Sequence, residues 1–365
     1  MTAAIASAET APHAPQSRLF TTGDFRLESG TVFPELTLAY ETYGTLAADG
    51  RNGVLATHGY TSSHHMAGCY GASGAAKGHA PGDVGTWDKL IGRGKAIDTA
   101  RLFVVASNML GSSFGSTNPA TVTPQTGRPY GPDFPRFTLG DMVRAQKALL
   151  DALGVKHLIA VAGPSYGGYQ AFQWAVSYPE FMDGIVAAVT APKSGGGESA
   201  THSLIGQLAS DANWNGGWYY DNGGVAGVLA KIRTATLMSY GVERHLASLI
   251  PDAQERQAAI AKMAEAWARN FDANSLVVLR RALETFDTTR EFPSMRAKVL
   301  YVLSRTDKLF PPSLAPDVLA SLKAAGVDVR YHEIDSELGH AASGLDAEKW
   351  APALASFMAE LMGHS

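Results

Sequence analysis

The pentapeptide Gly163-Pro164-Ser165-Tyr166-Gly167 constrains this chain more than any other stretch. An apolar run, His157 to Ala162, precedes it, and a helix-like run, Gly168 to Tyr178, follows. Strand, G-x-S-x-G, helix is the pattern of a nucleophile elbow, in which a serine is held on a tight, strained turn above a sheet edge. The residue types follow from that geometry. Side chains at Gly163 and Gly167 would strike the neighbouring strand and helix. The turn also aims the next backbone N–H, that of Tyr166, toward a developing oxyanion.

The rest of the chain supplies a matching frame. Gly53–Thr57, Leu102–Ala106, Gly184–Val189, Lys298–Leu303 and Val327–Ile334 read as buried strands. A helix is predicted after the N-cap signature Thr138-Leu139-Gly140-Asp141, with apolar Met142, Ala145, Leu149 and Leu153 on one face. Further helices are predicted over 312–325 and 346–361, and Phe25–Tyr43 reads as an antiparallel edge. Strands alternating with helices mean a mostly parallel sheet covered on both faces, so the fold class is α/β, of the α/β-hydrolase type. Between about 193 and 292 the rhythm breaks into helical patterns such as Ile260, Met263, Ala264, Trp267 and Phe271. This is read as an inserted helical cap, with Trp214, Trp218, Tyr219 and Tyr220 in its core. The expected organisation is a disordered tail over 1–17, a core formed by 18–192 and 293–365, and a cap over 193–292.

A serine hydroxyl needs a base, itself oriented by a carboxylate. In this fold the order is Ser, then Asp or Glu, then His, each just past a strand end. Asp307 follows the strand ending at Leu303, and His340 follows the strand ending at Ile334. Asp335 and Glu337 are rivals for the acid role. His58-Gly59 closes the first buried strand, where the fold places an oxyanion loop, so the Tyr60 N–H is the second donor beside that of Tyr166. His58 itself reads as structural. His64-His65 has no third ligand at workable spacing, and no metal is assigned.

Composition excludes other classes. The 365 residues carry 30 Lys+Arg against 34 Asp+Glu, a net charge of −4 with no basic stripe. That gives no electrostatic case for nucleic acid or an anionic membrane. No apolar run approaches the ~18 residues of a membrane span. A lone cysteine, Cys69, forbids an intrachain disulfide and suits a reducing cytoplasm. The Ala- and Pro-rich start lacks the pattern of a signal peptide.

Three blocks carry a resemblance to the homoserine O-acetyltransferase family. They are Trp87–Asp98, the pair of segments Ser107–Thr117 and Thr126–Pro135, and Asp307–Pro312 with Gly339-His340. The resemblance implies a Ser165–His340–Asp307 triad, a helical cap, a homodimer formed through the cap, and ping-pong acyl transfer through an acyl-serine. It also implies a cap arginine and an aspartate after the histidine to hold an amino-acid acceptor. Aligning Asp211-Ala212-Asn213-Trp214 on the matching cap segment puts Ile205 at the arginine position, and Ala341 stands at the aspartate position. Pro164, Tyr166 and Lys193–Gly197 also depart from the family pattern. Burying a zwitterion without either partner costs several kcal/mol. The expectation is therefore a serine carboxylesterase for a small-molecule substrate, a short-chain acetyl-type ester of an uncharged alcohol, needing no cofactor. The alternative is an acyl-CoA-dependent O-acyltransferase with an alcohol acceptor, in which CoA is a co-substrate. A non-catalytic binding module on the same fold is the reading from another class.

Overall fold

A computed structural model describes residues 15–71, 78–80 and 82–363. The expected tail lies outside these residues up to 14. Residues 15–17, however, are placed against the body: Pro15 is buried, and the Ser17 hydroxyl bonds His64 Nε2 at 2.8 Å.

The strands are β1 (Arg18–Arg26), β2 (Val32–Tyr43), β3 (Gly53–Thr57), β4 (Ile91–Gly92), β5 (Ile97–Asp98), β6 (Phe103–Ser107), β7 (Leu158–Pro164), β8 (Met182–Ala188), β9 (Lys298–Ser304) and β10 (Val329–Ile334). Eight of them form one sheet in the order β1-β2-β6-β3-β7-β8-β9-β10, and β4 pairs with β5 apart from it. β1 and β2 pair antiparallel, as do β2 and β6, and the pairs from β6 to β10 are all parallel. The reading of an antiparallel edge on a parallel sheet is therefore observed.

Alternation along each strand builds two cores. Leu55, Val105, Val161, Ile185, Val299 and Tyr301 face one side, where α1 (Leu139–Ala152), α2 (Tyr166–Ser177) and later α8 (Ala315–Ala324) cover them. Val54, Ala56, Val104, Ala160, Val186 and Val302 face the other, covered by α10 (Ala351–Gly363) with Trp87 and Trp350. Helix α1 starts as its sequence dictates: Thr138 accepts from Asp141 N, and Asp141 accepts from Thr138 N, a closed capping box. The last helix starts later than the predicted residue 346. A four-residue helix, α9 (Ala342–Leu345), and a 3-10 turn at Ala347–Lys349 precede α10. Pro352 falls in the first turn of α10, where its missing N–H is harmless, so it favours a fresh start there.

Between β8 and β9 lie α3 (Gly197–Leu208), α4 (Ala226–Ser239), α5 (Val242–Ala247), α6 (Ala253–Ala268) and α7 (Ala273–Arg281). Helices α3, α4, α6 and α7 share a separate apolar cluster including Trp214, Tyr219, Leu229 and Phe271, so these aromatics pack with one another, while α5 packs through Val242 and Leu246 on Leu237, Ile260 and Ala264. Helix α7 belongs to both cores: Leu276 and Val277 face the helical cluster, while Val278 and Leu279 join the sheet core.

Candidate active site

Ser165 stands between β7 and α2 with φ 55° and ψ −118°, a strained conformation for a residue with a side chain. Its surroundings hold it there. Its N–H donates to Ala188 O at 2.8 Å, and its carbonyl accepts from the Thr190 hydroxyl at 2.8 Å. A Cβ at Gly163 would come within 2.2 Å of Thr57 Oγ1, and one at Gly167 within 2.5 Å of Thr57 O. The collisions expected from the sequence therefore fall on the end of β3, the neighbouring strand.

Asp307 and His340 come from the loops after β9 and β10, two strand ends on the same edge as the end of β7. His340 Nδ1 lies 2.8 Å from Asp307 Oδ2, with the residues only 6% and 3% exposed. Asp307 Oδ1 accepts the N–H groups of Leu309 at 2.8 Å and Phe310 at 3.2 Å. One carboxylate thus caps the turn after β9 and faces the histidine at once. The rivals point elsewhere: Asp335 is 85% exposed on Arg305, and Glu337 pairs with Arg244 and Arg305. The His340 ring packs against Tyr240, with centroids 4.6 Å apart, and stacks on Phe310 at 5.6 Å.

Gly59 sits beside the serine, since a Cβ there would lie 3.9 Å from Ser165 Cβ. Among the described residues, neither the Tyr60 nor the Tyr166 N–H donates to a protein acceptor. The Tyr166 amide opens α2, where the helix dipole favours negative charge. The two tyrosine rings stack at 5.9 Å. Their hydroxyls donate to α7: Tyr60 to Leu276 O at 2.5 Å, Tyr166 to Leu279 O at 3.1 Å. Burial pushes both phenols well above their usual range, so they stay neutral donors.

His58 is a buried neutral imidazole. Nδ1–H donates to Gly59 O at 2.9 Å, and Nε2 accepts Met109 N–H at 3.2 Å. Burial lowers its pKa to about 4. It braces the loop ahead of Tyr60. His65 meets buried Glu41 at 3.1 Å, and His64 meets Ser17. Among the described residues there is no group of three metal-ligating side chains.

The residue that sequence reasoning missed is Arg233, on α4. Its Nη1 donates to Thr61 Oγ1 at 2.5 Å, and its guanidinium lies 5.1 Å from the Trp267 ring centroid. Its Nε is buried without a hydrogen-bond partner, and no carboxylate among the described residues pairs with it. Burial lowers its pKa from the usual arginine value. Thr61 adjoins the Tyr60 loop, and Tyr240, two helical turns after Arg233, packs on His340. Arg233, Thr61, Phe114 and Trp267 wall a cavity of about 460 Å³ beside the loop. Ile205, where the alignment placed the arginine, packs against the helical cluster instead. The spacing Arg233 to Tyr240 puts both on one helix face, which is the signal that was available.

A parallel sheet with a serine elbow, a buried Asp–His pair at the same edge and helices over it defines an α/β-hydrolase-fold enzyme, and the family model of that description matches residues 54–343. The homoserine O-acetyltransferase of Moorella thermoacetica is 36% identical over 361 residues, covering 92% of this chain and 93% of that protein. The chain belongs to the homoserine O-acetyltransferase family. Among solved structures, homoserine O-acetyltransferase from Bacillus anthracis superposes with a TM-score of 0.84 at 27% identity, covering 95% of this chain and 98% of the other. Esterase E22 superposes at 0.84 with 28% identity, covering 94% and 100%.

These relatives overturn the carboxylesterase expectation. The more similar sequences are named as acyltransferases, at 33–37% identity over most of the chain. One premise of the substrate choice fails as well. The uncharged alcohol was expected from a roof lacking both a cation and an anion, and Arg233 is a part-buried cation, its Nε fully buried, beside the Tyr60 loop. No helix among the described residues is long and apolar enough to cross a membrane.

Proposed function

We propose that this enzyme is an acyl-CoA-dependent O-acyltransferase that acylates the hydroxyl of an acceptor bearing a carboxylate, with homoserine the first candidate. The observation that carries the acceptor class is Arg233, whose guanidinium has a buried Nε, no counter-ion among the described residues and a bond to Thr61 beside Tyr60. A desolvated charge of this kind is stabilised by an anionic ligand that pairs with it. Membership of the homoserine O-acetyltransferase family supports the same reading.

The proposed steps use the Asp307–His340 pair as the base for Ser165. The Ser165 hydroxyl attacks the thioester carbonyl while His340 Nε2 takes its proton. Asp307 holds Nδ1–H and stabilises the imidazolium. The Tyr60 and Tyr166 N–H groups receive the oxyanion, and the thiol leaves with the proton from His340. The acceptor hydroxyl then gives its proton to His340, attacks the acyl-serine and departs as the ester. Water in place of the acceptor would hydrolyse the intermediate, so the chemistry turns on how well the acceptor occupies the chamber. Ala341 follows His340, so an acceptor ammonium finds no carboxylate at that position.

The test is CoA release from acetyl-CoA, followed with a thiol reagent, with and without homoserine. The expected result is a rate that rises with homoserine, O-acetylhomoserine by mass spectrometry, and loss of both in Ser165→Ala. A CoA release rate unaffected by homoserine or by simple hydroxy acids would refute the acceptor assignment. The lone cysteine and a CoA donor both suit a cytoplasmic enzyme. We propose a homodimer contact on the α4–α6 face, where Ala226, Gly227, Ala230 and Ala261 line a groove. A monomeric mass by light scattering would remove that assignment.

A further inference from the structure

The carbonyl of Ser165 and the N–H of Tyr166 belong to one peptide unit. Such a unit is planar, and in its trans form the two groups point in opposite directions. Whatever holds the Ser165 oxygen therefore aims the Tyr166 N–H. Three donors converge on that oxygen. The N–H groups of Gly168 and Tyr169 reach it from the first turn of α2, at 2.9 and 3.2 Å. The third donor is a side chain from beyond a different strand, the Thr190 hydroxyl at 2.8 Å.

Thr190 is fully buried, and its surroundings fix it. Val189, just before it, has φ 45°, a costly conformation for a β-branched residue. The Val189 N–H donates to Val302 O at 2.7 Å, and the Tyr301 hydroxyl donates to Thr190 O at 2.8 Å. Strand β9 thus holds the turn that follows β8. On the facing side, a Cβ at Gly168 would lie 2.3 Å from Thr190 Cγ2 and 2.8 Å from its Oγ1. A glycine there lets the threonine come up to the Ser165 carbonyl. Two strained residues, Ser165 and Val189, therefore sit on adjoining turns, joined by Ser165 N–H to Ala188 O and by the Thr190 hydroxyl to Ser165 O. Strain of this kind persists only where the surroundings over-determine it, and it clusters at functional sites.

We infer that Thr190 is a positioning residue of the oxyanion hole: its hydroxyl, fixed by Tyr301 and admitted by Gly168, sets the tilt of the Ser165–Tyr166 peptide and so the direction of the Tyr166 N–H. A donor on the carbonyl also polarises the N–H of the same peptide, which strengthens that group's bond to an oxyanion. The inference rests on the acyl-serine chemistry of the preceding section, and holds whichever acyl donor and acceptor are used.

The experiment follows single-turnover acetylation of Ser165 by p-nitrophenyl acetate across pH. It also follows inhibition by an aryl trifluoromethyl ketone, whose adduct with a serine carries an oxyanion. Thr190→Val removes the donor, and Thr190→Ser keeps it. In Thr190→Val the acetylation rate should fall by about 10- to 30-fold, less than the loss on deleting an oxyanion donor outright, because the amide is turned and not removed. Inhibitor affinity should fall by a similar factor. The midpoint of the pH profile should stay in place, because the Asp307–His340 pair is untouched, and Thr190→Ser should recover most of the rate. Tyr301→Phe should move rate and inhibition in the same direction by a smaller factor, and it carries the test if the melting curve shows Thr190→Val unfolded. Acetylation within about two-fold of the native rate in a folded Thr190→Val would overturn the inference. So would a Thr190→Ser enzyme as slow as Thr190→Val, which would put the effect in packing, or a shifted pH midpoint, which would put it on His340. If p-nitrophenyl acetate does not label Ser165 in the native enzyme, the acyl-serine reading itself fails and this inference falls with it.

Discussion

Asp307→Asn is the sharpest probe of the Asp–His pair, because the structure determines how the amide must sit. Oδ1 accepts two backbone N–H groups, from Leu309 and Phe310, while Oδ2 faces His340 Nδ1 at 2.8 Å. The asparagine carbonyl must take the Oδ1 place, since a flip would lose two hydrogen bonds of about 1 kcal/mol each and set N–H against N–H. The NH2 group then points at Nδ1 and forces the tautomer whose proton is on Nε2. That proton occupies the nitrogen that should accept from Ser165. Acylation by p-nitrophenyl acetate, read as the pre-steady-state burst, should slow by about 10⁴-fold, or about 5.5 kcal/mol, as expected when a triad histidine is locked in the wrong tautomer. The unfolding midpoint should change little, since both turn hydrogen bonds survive. Acylation within ten-fold of the native rate in a folded Asp307→Asn would refute the reasoning.

Gly163→Ala should destabilise the fold by about 3 kcal/mol, because a Cβ there meets Thr57 backbone and side chain and neither can retreat; urea unfolding checks this, and a loss under about 1 kcal/mol would contradict it. Arg233→Met should raise the acceptor KM by about 10²-fold through loss of a charged hydrogen-bond partner, while removal of an unpaired buried charge should not lower the melting temperature. A melting point clearly below that of the native enzyme would mean Arg233 is already paired. Acid should weaken the protein through His58. Its folded pKa of about 4 lies below the usual 6.5, so below pH 6.5 the unfolded chain binds a proton that the folded one refuses. Stability from this group is unaffected above pH 6.5 and falls as pH drops toward 4, by up to about 3 kcal/mol. Buried His64 and half-buried His79 shift in the same direction, so His58→Gln should flatten part of the slope in urea titrations, and an unchanged slope would rule His58 out.

The sheet and the Ser–Asp–His candidates were legible because each is a local signal. Gly163 and Gly167 mark the elbow, and Asp307 and His340 each follow a readable apolar strand. What joins them is the strand order, which carries the ends of β7, β9 and β10 to one edge. Arg233 was not legible in this way. Helix α4 has a weakly amphipathic sequence, and which of its faces looks down depends on how it packs on α6 and the Thr61 loop. Alignment on Asp211–Trp214 pointed to Ile205, a residue of the helical cluster, and the esterase expectation rested on that position together with Ala341. Phe310 and Tyr240 were silent for a similar reason: each contacts His340 from a separate segment, and no spacing links them to it.

The two phenol hydroxyls anchored on the carbonyls of Leu276 and Leu279 tie the Tyr60 loop and the start of α2 to α7. Since α7 also packs in both apolar clusters, the segments flanking Ser165 and the inserted helices share one frame, and a change in α7 is felt on both sides of it.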